Sequence, residues 1–219
     1  MSCGPLAAVI LDFDGVLVES VDVKTRAFAS LYGSYGADIV RKVVEYHLQH
    51  GGVSRYAKFR HFHNVLLRKP LGAAEEAELG QRFSELVEDA VVEAAWVGGA
   101  RQFLEKWHAH RPLFVASGTP DEELRRIIAR RQMSHYFAGV RGASATKAEI
   151  ISAFLAEYHF APTHVVMVGD ARTDFEAAVE TGVGFIGVSG SGVHPFPETV
   201  PVLRDLSTLD ERLSAPALR

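Results

Sequence analysis

The chain has 219 residues, 47% of them hydrophobic and 23% charged, with a formal net charge of −4 and a pI near 6.2. That is ordinary globular usage and enough chain for one large domain, or one domain carrying a substantial insertion; disordered, collagen-like and coiled-coil chains are disfavoured. The basic residues are dispersed apart from short pairs such as Arg125-Arg126 and Arg130-Arg131, so no nucleic-acid partner is expected.

The N-terminal Met1-Ser-Cys-Gly-Pro has no basic stretch, and the apolar run after it ends in acids instead of a small-residue cleavage site. This reads against a secretory signal and predicts a cytoplasmic location. Cys3 is the single cysteine, which excludes an internal disulfide and a cysteine zinc site. The longest apolar runs, Leu6 to Leu11 and Val165 to Val168, fall far short of the ~18 residues a bilayer span needs, so no membrane partner is expected either.

Ala7 to Leu11 is a short β-favouring run that stops at Asp12-Phe-Asp-Gly15, which predicts a buried strand feeding a loop. From about Val21 to Val97 no strand is evident and four helices are predicted. Ala27, Phe28, Leu31 and Tyr32 share a face in the first; Leu79, Phe83, Leu86, Ala90 and Ala94 line the apolar face of the last. About eighty residues between two strands are too many for an ordinary crossover, so a helical domain is inserted after Gly15. The strand-to-loop pattern recurs at Leu113 to Ala116, followed by Ser117-Gly-Thr-Pro120, and at His164 to Val168, followed by Gly169-Asp170. Helices are predicted at 100–109, 121–131, 147–159 and 173–181, and a further strand at Phe185 to Val188. This alternation predicts an α/β fold, a Rossmann-like parallel sheet with helices on both faces.

Asp12 and Asp14 stand two apart at a strand end, where their side chains can enter the crevice at the carboxyl edge of the sheet. Two acids so placed are tolerated when a cation lies between them or one keeps a proton; a surface turn is the plainer alternative. Asp170 and Asp174 form a second acidic group after another apolar run. If the carboxylates converge, their oxygen-only set suits magnesium, and magnesium points to phosphate; Asp174 also fits a helix N-terminal acid. Ser117 with the amides of Gly118 and Thr119 precedes a helix starting near Pro120, a place that attracts anions, or caps a helix in the ordinary way. Lys147 opens another helix, an electrostatically poor place for a cation unless an anion holds it.

The order Asp-x-Asp-Gly-Val, Ser-Gly-Thr, Lys and Gly-Asp-x-x-x-Asp, each at a strand end or helix start, resembles the four motifs of the haloacid dehalogenase superfamily, in particular phosphatases similar to phosphoglycolate phosphatase and β-phosphoglucomutase. The resemblance implies a Rossmann-like core at 1–18 and 97–219 and a helical C1 cap at 19–96. It further implies that Asp12 is the nucleophile and Asp14 the general acid and base, with Ser117, Gly118, Thr119 and Lys147 holding the phosphoryl group. Asp12, the backbone carbonyl of Asp14 and Asp170 would bind Mg2+, with Asp174 supporting or ligating. The superfamily's dehalogenases lack an acid at the place of Asp14 and need no metal, so Asp14 turns the expectation toward phosphate chemistry.

Within the cap, Gly51-Gly-Val-Ser-Arg55 is similar to a segment of the β-phosphoglucomutases and related phosphatases whose arginine reaches the substrate, making Arg55 a substrate candidate; a solvated arginine at a helix start is its alternative. Lys24, the other cap residue expected to meet the substrate, stands where those mutases are expected to carry a catalytic histidine, which departs from the mutase pattern. Trp96 to Gly99 read as a hinge or a helix stop. The expected function is a Mg2+-dependent phosphatase acting on a small phosphorylated metabolite. A phosphosugar mutase or phosphotransferase and a non-catalytic binding or regulatory protein are the alternatives. Oligomeric state leaves no mark in the residues.

Overall fold

β1 (Ala8–Leu11) is four consecutive apolar residues buried on both faces, as a strand at the centre of a parallel sheet has to be. It is flanked by β2 (Leu113–Ala116) and β4 (Val165–Gly169), and the sheet extends through β3 (Gly139–Arg141), β5 (Gly184–Val188) and β6 (Val202–Leu203) in the order β3-β2-β1-β4-β5-β6, every pair parallel. The computed structural model describes residues 6–214; Cys3 and the N-terminal segment discussed above lie outside them. Leu11 stands opposite both Val115 and Val168, so β1, β2 and β4 end level with one another. The chain runs from β1 outward to β2 and β3, then returns to the other side of β1 as β4. That reversal opens a crevice beyond the carboxyl ends of β1 and β4, where open α/β sheets hold ligands.

The two-residue period of the strands splits the core. Val9, Leu11, Val115 and Val168 belong to one buried cluster, and Ala8, Ile10, Phe114 and Met167 to the other. Helices α5 (Ala100–Trp107), α6 (Asp121–Arg130), α7 (Lys147–Glu157), α8 (Arg172–Thr181) and α9 (Leu209–Ser214) complete the sheet layers. β3 and β6, of three and two residues, lack the apolar run that announced the other strands. Among the described residues no helix is long and apolar enough to cross a membrane.

Between β1 and β2 lie α1 (Val21–Leu31), α2 (Ala37–Gln49), α3 (Arg55–His61) and α4 (Ala73–Glu93), with a π-helical turn at Phe62–Leu67 continuing α3. Their interior is aromatic: Phe28 meets Phe83 at 4.5 Å, Phe62 at 5.7 Å and Phe59 at 5.9 Å between ring centroids. The apolar face of α4 differs from the expected one. Gly80, Phe83, Val87 and Val91 are buried, whereas Leu86 is 46% exposed. The reason lies at Gly80, where a Cβ would come within 2.7 Å of the Tyr56 ring; the missing side chain lets α3 approach and turns α4 onto this stripe.

The two connections between the helical layer and the sheet run side by side. Glu19 N–H donates to Ala95 O at 2.9 Å, and Val97 N–H to Leu17 O at 3.1 Å. Gly98 and Gly99 follow, but neither has free room: a Cβ on Gly98 would lie 2.7 Å from Asp205 Oδ2, and one on Gly99, at φ 75°, would enter the Leu206-Ser207 backbone. These glycines allow close packing at the start of α5.

Candidate active site

Asp12, the first residue beyond β1, is 3% exposed, and its Oδ1 accepts from Phe13 N–H at 2.7 Å. Its Oδ2 accepts at 2.7 Å from Lys147 Nζ, which also donates to Asp174 Oδ1. Lys147 is the first residue of α7, whose start is fixed by Thr146 and Glu149 in a reciprocal capping box. The anions that a cation at this place requires are thus Asp12 and Asp174. Asp174 reaches the site from the first turn of α8, where its Oδ2 accepts from Ala171 N–H at 2.9 Å; both roles read for it, helix N-terminal acceptor and site carboxylate, coexist in one side chain.

Carboxylate oxygens of Asp12, Asp170 and Asp174 lie within 4.8 Å of one another. Gly15 makes room for this group: at φ 75°, a Cβ there would overlap the Asp170 carboxylate. Burial, reinforced by Asp174 and Asp14 and opposed by Lys147, pushes Asp12 up to about 7. Burial and the charges of Asp12 and Asp174 hold Asp170 well above the ordinary carboxylate range. Burial alone would lower Lys147; the two carboxylates on it raise it instead. Three acids facing one ammonium are short of positive charge, and an all-oxygen donor set of this size fits a hard divalent cation such as Mg2+.

Asp14 belongs to a different network. Its carboxylate turns toward the helical layer, accepting from Ser20 Oγ at 2.5 Å, Lys24 Nζ at 2.5 Å and Thr119 Oγ1 at 3.0 Å. Burial raises its affinity for a proton, but Lys24 and these donors outweigh burial and hold Asp14 below its ordinary value. The side chain therefore stands apart from the three-carboxylate group, which leaves only its backbone carbonyl for the metal role that the resemblance implies. Ser117 Oγ lies 3.5 Å from Asp14 Oδ2, a long contact, and accepts from Thr119 N–H at 3.2 Å. The Thr119 amide, expected to be open to a phosphoryl oxygen, is thus engaged locally, and its hydroxyl is bonded to Asp14 and Lys24. Gly118 abuts the helical layer: a Cβ on it would lie 2.5 Å from Gly52 O.

The helical layer closes over this edge. Thr173 Oγ1 donates to Gly51 O at 3.1 Å, and a cavity of about 490 Å3 remains between Asp12 and Asp14 on one side and Lys24, His47, Arg55 and Lys58 on the other. Lys24 lines it while bound to Asp14 and, at 2.8 Å, to Thr119 Oγ1. Arg55 is not solvated. It is 5% exposed, lies over the Phe83 ring at 4.4 Å, and forms a bidentate pair with Glu123 of α6 at 2.5 and 2.9 Å, with Ser84 Oγ accepting from it at 2.8 Å. Its guanidinium borders the cavity, yet its charge is already matched. Glu123 lies in the first turn of α6 and brings its carboxylate to Arg55 from there. Lys58 went unnoticed, although its spacing of three from Arg55 places both on one face of α3.

A family model described as haloacid dehalogenase-like hydrolase matches residues 6–182. Two characterised relatives are distant: tyrosine-protein kinase PtkA of Mycobacterium tuberculosis is 24% identical over 212 residues, covering 93% of this chain and 70% of its own, and phosphoglycolate phosphatase of Synechococcus elongatus is 22% identical over 189 residues, covering 84% of each. The structure of CbbY from Rhodobacter sphaeroides in complex with phosphate superposes with a TM-score of 0.72 at 20% identity, covering 93% of this chain and 96% of that one, a likeness of fold. With the family model spanning most of the sequence, the chain belongs to the haloacid dehalogenase-like hydrolases.

Proposed function

We propose that the protein is a Mg2+-dependent phosphatase of small phosphomonoesters, with residues 19–96 acting as a cap over a core formed by 1–18 and 97–219. The observation that carries this reading is the division of labour between the two aspartates beyond β1: Asp12 sits with Lys147, Asp170 and Asp174, while Asp14 is held apart on Lys24, Ser20 and Thr119. A nucleophile and a proton carrier need that separation.

Asp12, Asp170 and Asp174 would hold the magnesium ion, with the Asp14 carbonyl as a further ligand; the bound ion supplies positive charge against the developing charge on the phosphoryl oxygens. Lys147 supplies the same from the protein and orients Asp12. Asp12 Oδ attacks phosphorus and the bond to the leaving oxygen breaks as that oxygen takes a proton from Asp14. Asp14 is ionised before substrate arrives; the incoming phosphoryl dianion, a like charge beside it, raises its proton affinity, so that Asp14 takes up a proton from solvent as substrate binds and returns one to solvent when phosphate leaves. In the second half, Asp14 accepts a proton from water as the water attacks the aspartyl phosphate, releasing phosphate and restoring Asp12. Ser117 and Gly118 would face the phosphoryl group, and Lys24 and Thr119 govern the proton affinity of Asp14.

The relationship to a protein named as a tyrosine-protein kinase favours one second reading, in which a hydroxyl instead of water accepts the phosphoryl group from Asp12. A single panel tests both. Phosphate release from phosphomonoesters is measured with magnesium and after chelation, and repeated with added sugar and tyrosyl-peptide acceptors. Hydrolysis that needs magnesium and ignores acceptors is expected. Transfer to an acceptor in preference to water would establish the phosphotransferase, and turnover unchanged by chelation would remove the metal.

A further inference from the structure

The cations on the cap side of the cavity differ in what neutralises them. Lys24 is paired with Asp14, and Arg55 with Glu123. Lys58 is 2% exposed, and among the described residues none of the ion pairs includes it. Its Nζ lies 2.9 Å from His47 Nδ1 and 3.5 Å from the His47 carbonyl, with the Phe28 ring centroid 5.7 Å away. An ammonium has three N–H donors; His47 occupies one well and one poorly, which leaves donor capacity in a cavity wall shared with Asp12 and Asp14. Keeping a lysine inside a protein without a carboxylate is unfavourable unless a ligand supplies the missing partner.

His47 is suited to holding that lysine. It is itself buried, and its Nε2 makes no hydrogen bond of good geometry, so Nδ1 is the nitrogen fixed against Lys58 as acceptor. The surroundings explain why Lys58 has not been matched within the fold. Burial, then the nearby Lys24 charge, push it down to about 7, and the charges of Asp14 and Asp170 offset this only in part. An anion reaching Nζ from the cavity would reverse that shift.

We propose that Lys58, positioned by His47, is the recognition site for a second acidic group on the leaving-alcohol side of the substrate, so that the preferred substrates are small phosphomonoesters bearing a carboxylate or a second phosphate. This rests on the phosphatase reading and narrows it. One uncompensated cation at the cap end of the cavity calls for one anionic group there. Neutral sugar phosphates and polyol phosphates would leave Lys58 unmatched.

The test compares the full-length wild type on 2-phosphoglycolate and 3-phosphoglycerate, on propane-1,3-diol bisphosphate, and on the neutral 2-hydroxyethyl phosphate and glycerol phosphate, with magnesium present. At least one acidic arm is expected to exceed the neutral esters about 10-fold or more in kcat/KM, and the arm that does so identifies carboxylate or phosphate as the partner. Lys58→Met is expected to remove that advantage chiefly through KM while changing the neutral esters less than about threefold, and Lys58→Arg to keep part of it. Equal rates on acidic and neutral esters, or a preference that persists in a folded Lys58→Met, would overturn the proposal. If Lys58→Met does not fold, the wild-type comparison decides by itself. Calorimetric binding of the same panel to Asp12→Asn separates the two conclusions: acid-selective binding without any hydrolysis in the wild type would sink the phosphatase reading and leave the subsite, whereas hydrolysis with unselective binding would sink the subsite alone.

Discussion

The two buried lysines of the cavity show how one residue type takes opposite character from its surroundings. Lys147, on the core side, lies against Asp12 and Asp174, and their attraction exceeds the penalty of burial, so it stays charged. Lys58, on the cap side, is as deeply buried but meets an imidazole and a phenyl ring, and burial prevails, bringing it down to about 7. The core end is short of positive charge and the cap end short of negative charge. The core end thus suits a bound cation and the cap end an anionic group.

Removing the centre of the core end gives the largest expected change. Asp12→Asn keeps the shape and deletes the nucleophile, so phosphate release should fall by ~10^4-fold or more, with a melting temperature close to that of the wild type. Substantial residual turnover in a well-purified variant would mean that water attacks phosphorus directly.

Asp14→Asn separates the two half-reactions. An alkyl ester needs a proton on its leaving oxygen and should lose about 10^2- to 10^4-fold. A nitrophenyl ester leaves without help, so a burst of about one equivalent of nitrophenol should precede slow turnover, with phospho-Asp12 detectable by mass. A linear time course without added mass on the protein, despite confirmed substrate binding, would take Asp14 out of acid and base chemistry.

The Arg55–Glu123 pair joins α3 to α6, and its main expected contribution is to stability. Arg55→Ala and Glu123→Gln should each destabilise by about 3 kcal/mol, because each strands a buried charge or donor. At about 2–4 °C per kcal/mol for a chain of this size, the melting temperature should drop by about 6–12 °C. A much larger activity loss on the preferred substrate than on an aryl phosphate in Arg55→Ala, without the same loss in Glu123→Gln, would show that Arg55 touches the leaving group as well.

A pH series of stability is the sharpest probe of Lys58. A buried lysine whose folded value lies below its unfolded value contributes most above the unfolded value and loses that contribution as pH falls through the folded one. Lys58→Met should therefore be more stable than the wild type at pH 6, with the difference shrinking from pH 7 upward and disappearing near pH 10 in chemical denaturation. The charged or titratable neighbours in that window are His47, Lys24, Lys147, Asp14 and Asp170, none of which the substitution alters. A difference independent of pH would mean that Lys58 stays charged in the free protein.

Much of the core was legible in the residues because its signals are local. The runs at Ala8–Leu11, Leu113–Ala116 and Val165–Gly169 are each apolar and each followed by a polar break, and a parallel sheet with level strand ends delivers Asp12, Ser117 and Asp170 to one edge. β3 and β6 were not legible, being defined by their neighbours' hydrogen bonds and not by a run of their own. The buried stripe of α4 was missed by about one residue, since helical periodicity offers several adjacent apolar faces and only the approach of Tyr56 to Gly80 selects among them.

What the residues by themselves determined is therefore the alternation of strand and helix, the long helical insertion and the chemistry available at the strand ends, all of which depend on periods of two or about four residues. Only the tertiary structure decided how the charges pair: Arg55 with Glu123 across 68 residues, Lys147 with Asp12 across 135, and Lys58, among the described residues, with no carboxylate. The physical reason is that desolvation and Coulomb energy depend on distance and burial in space, and neither is encoded by spacing along the chain.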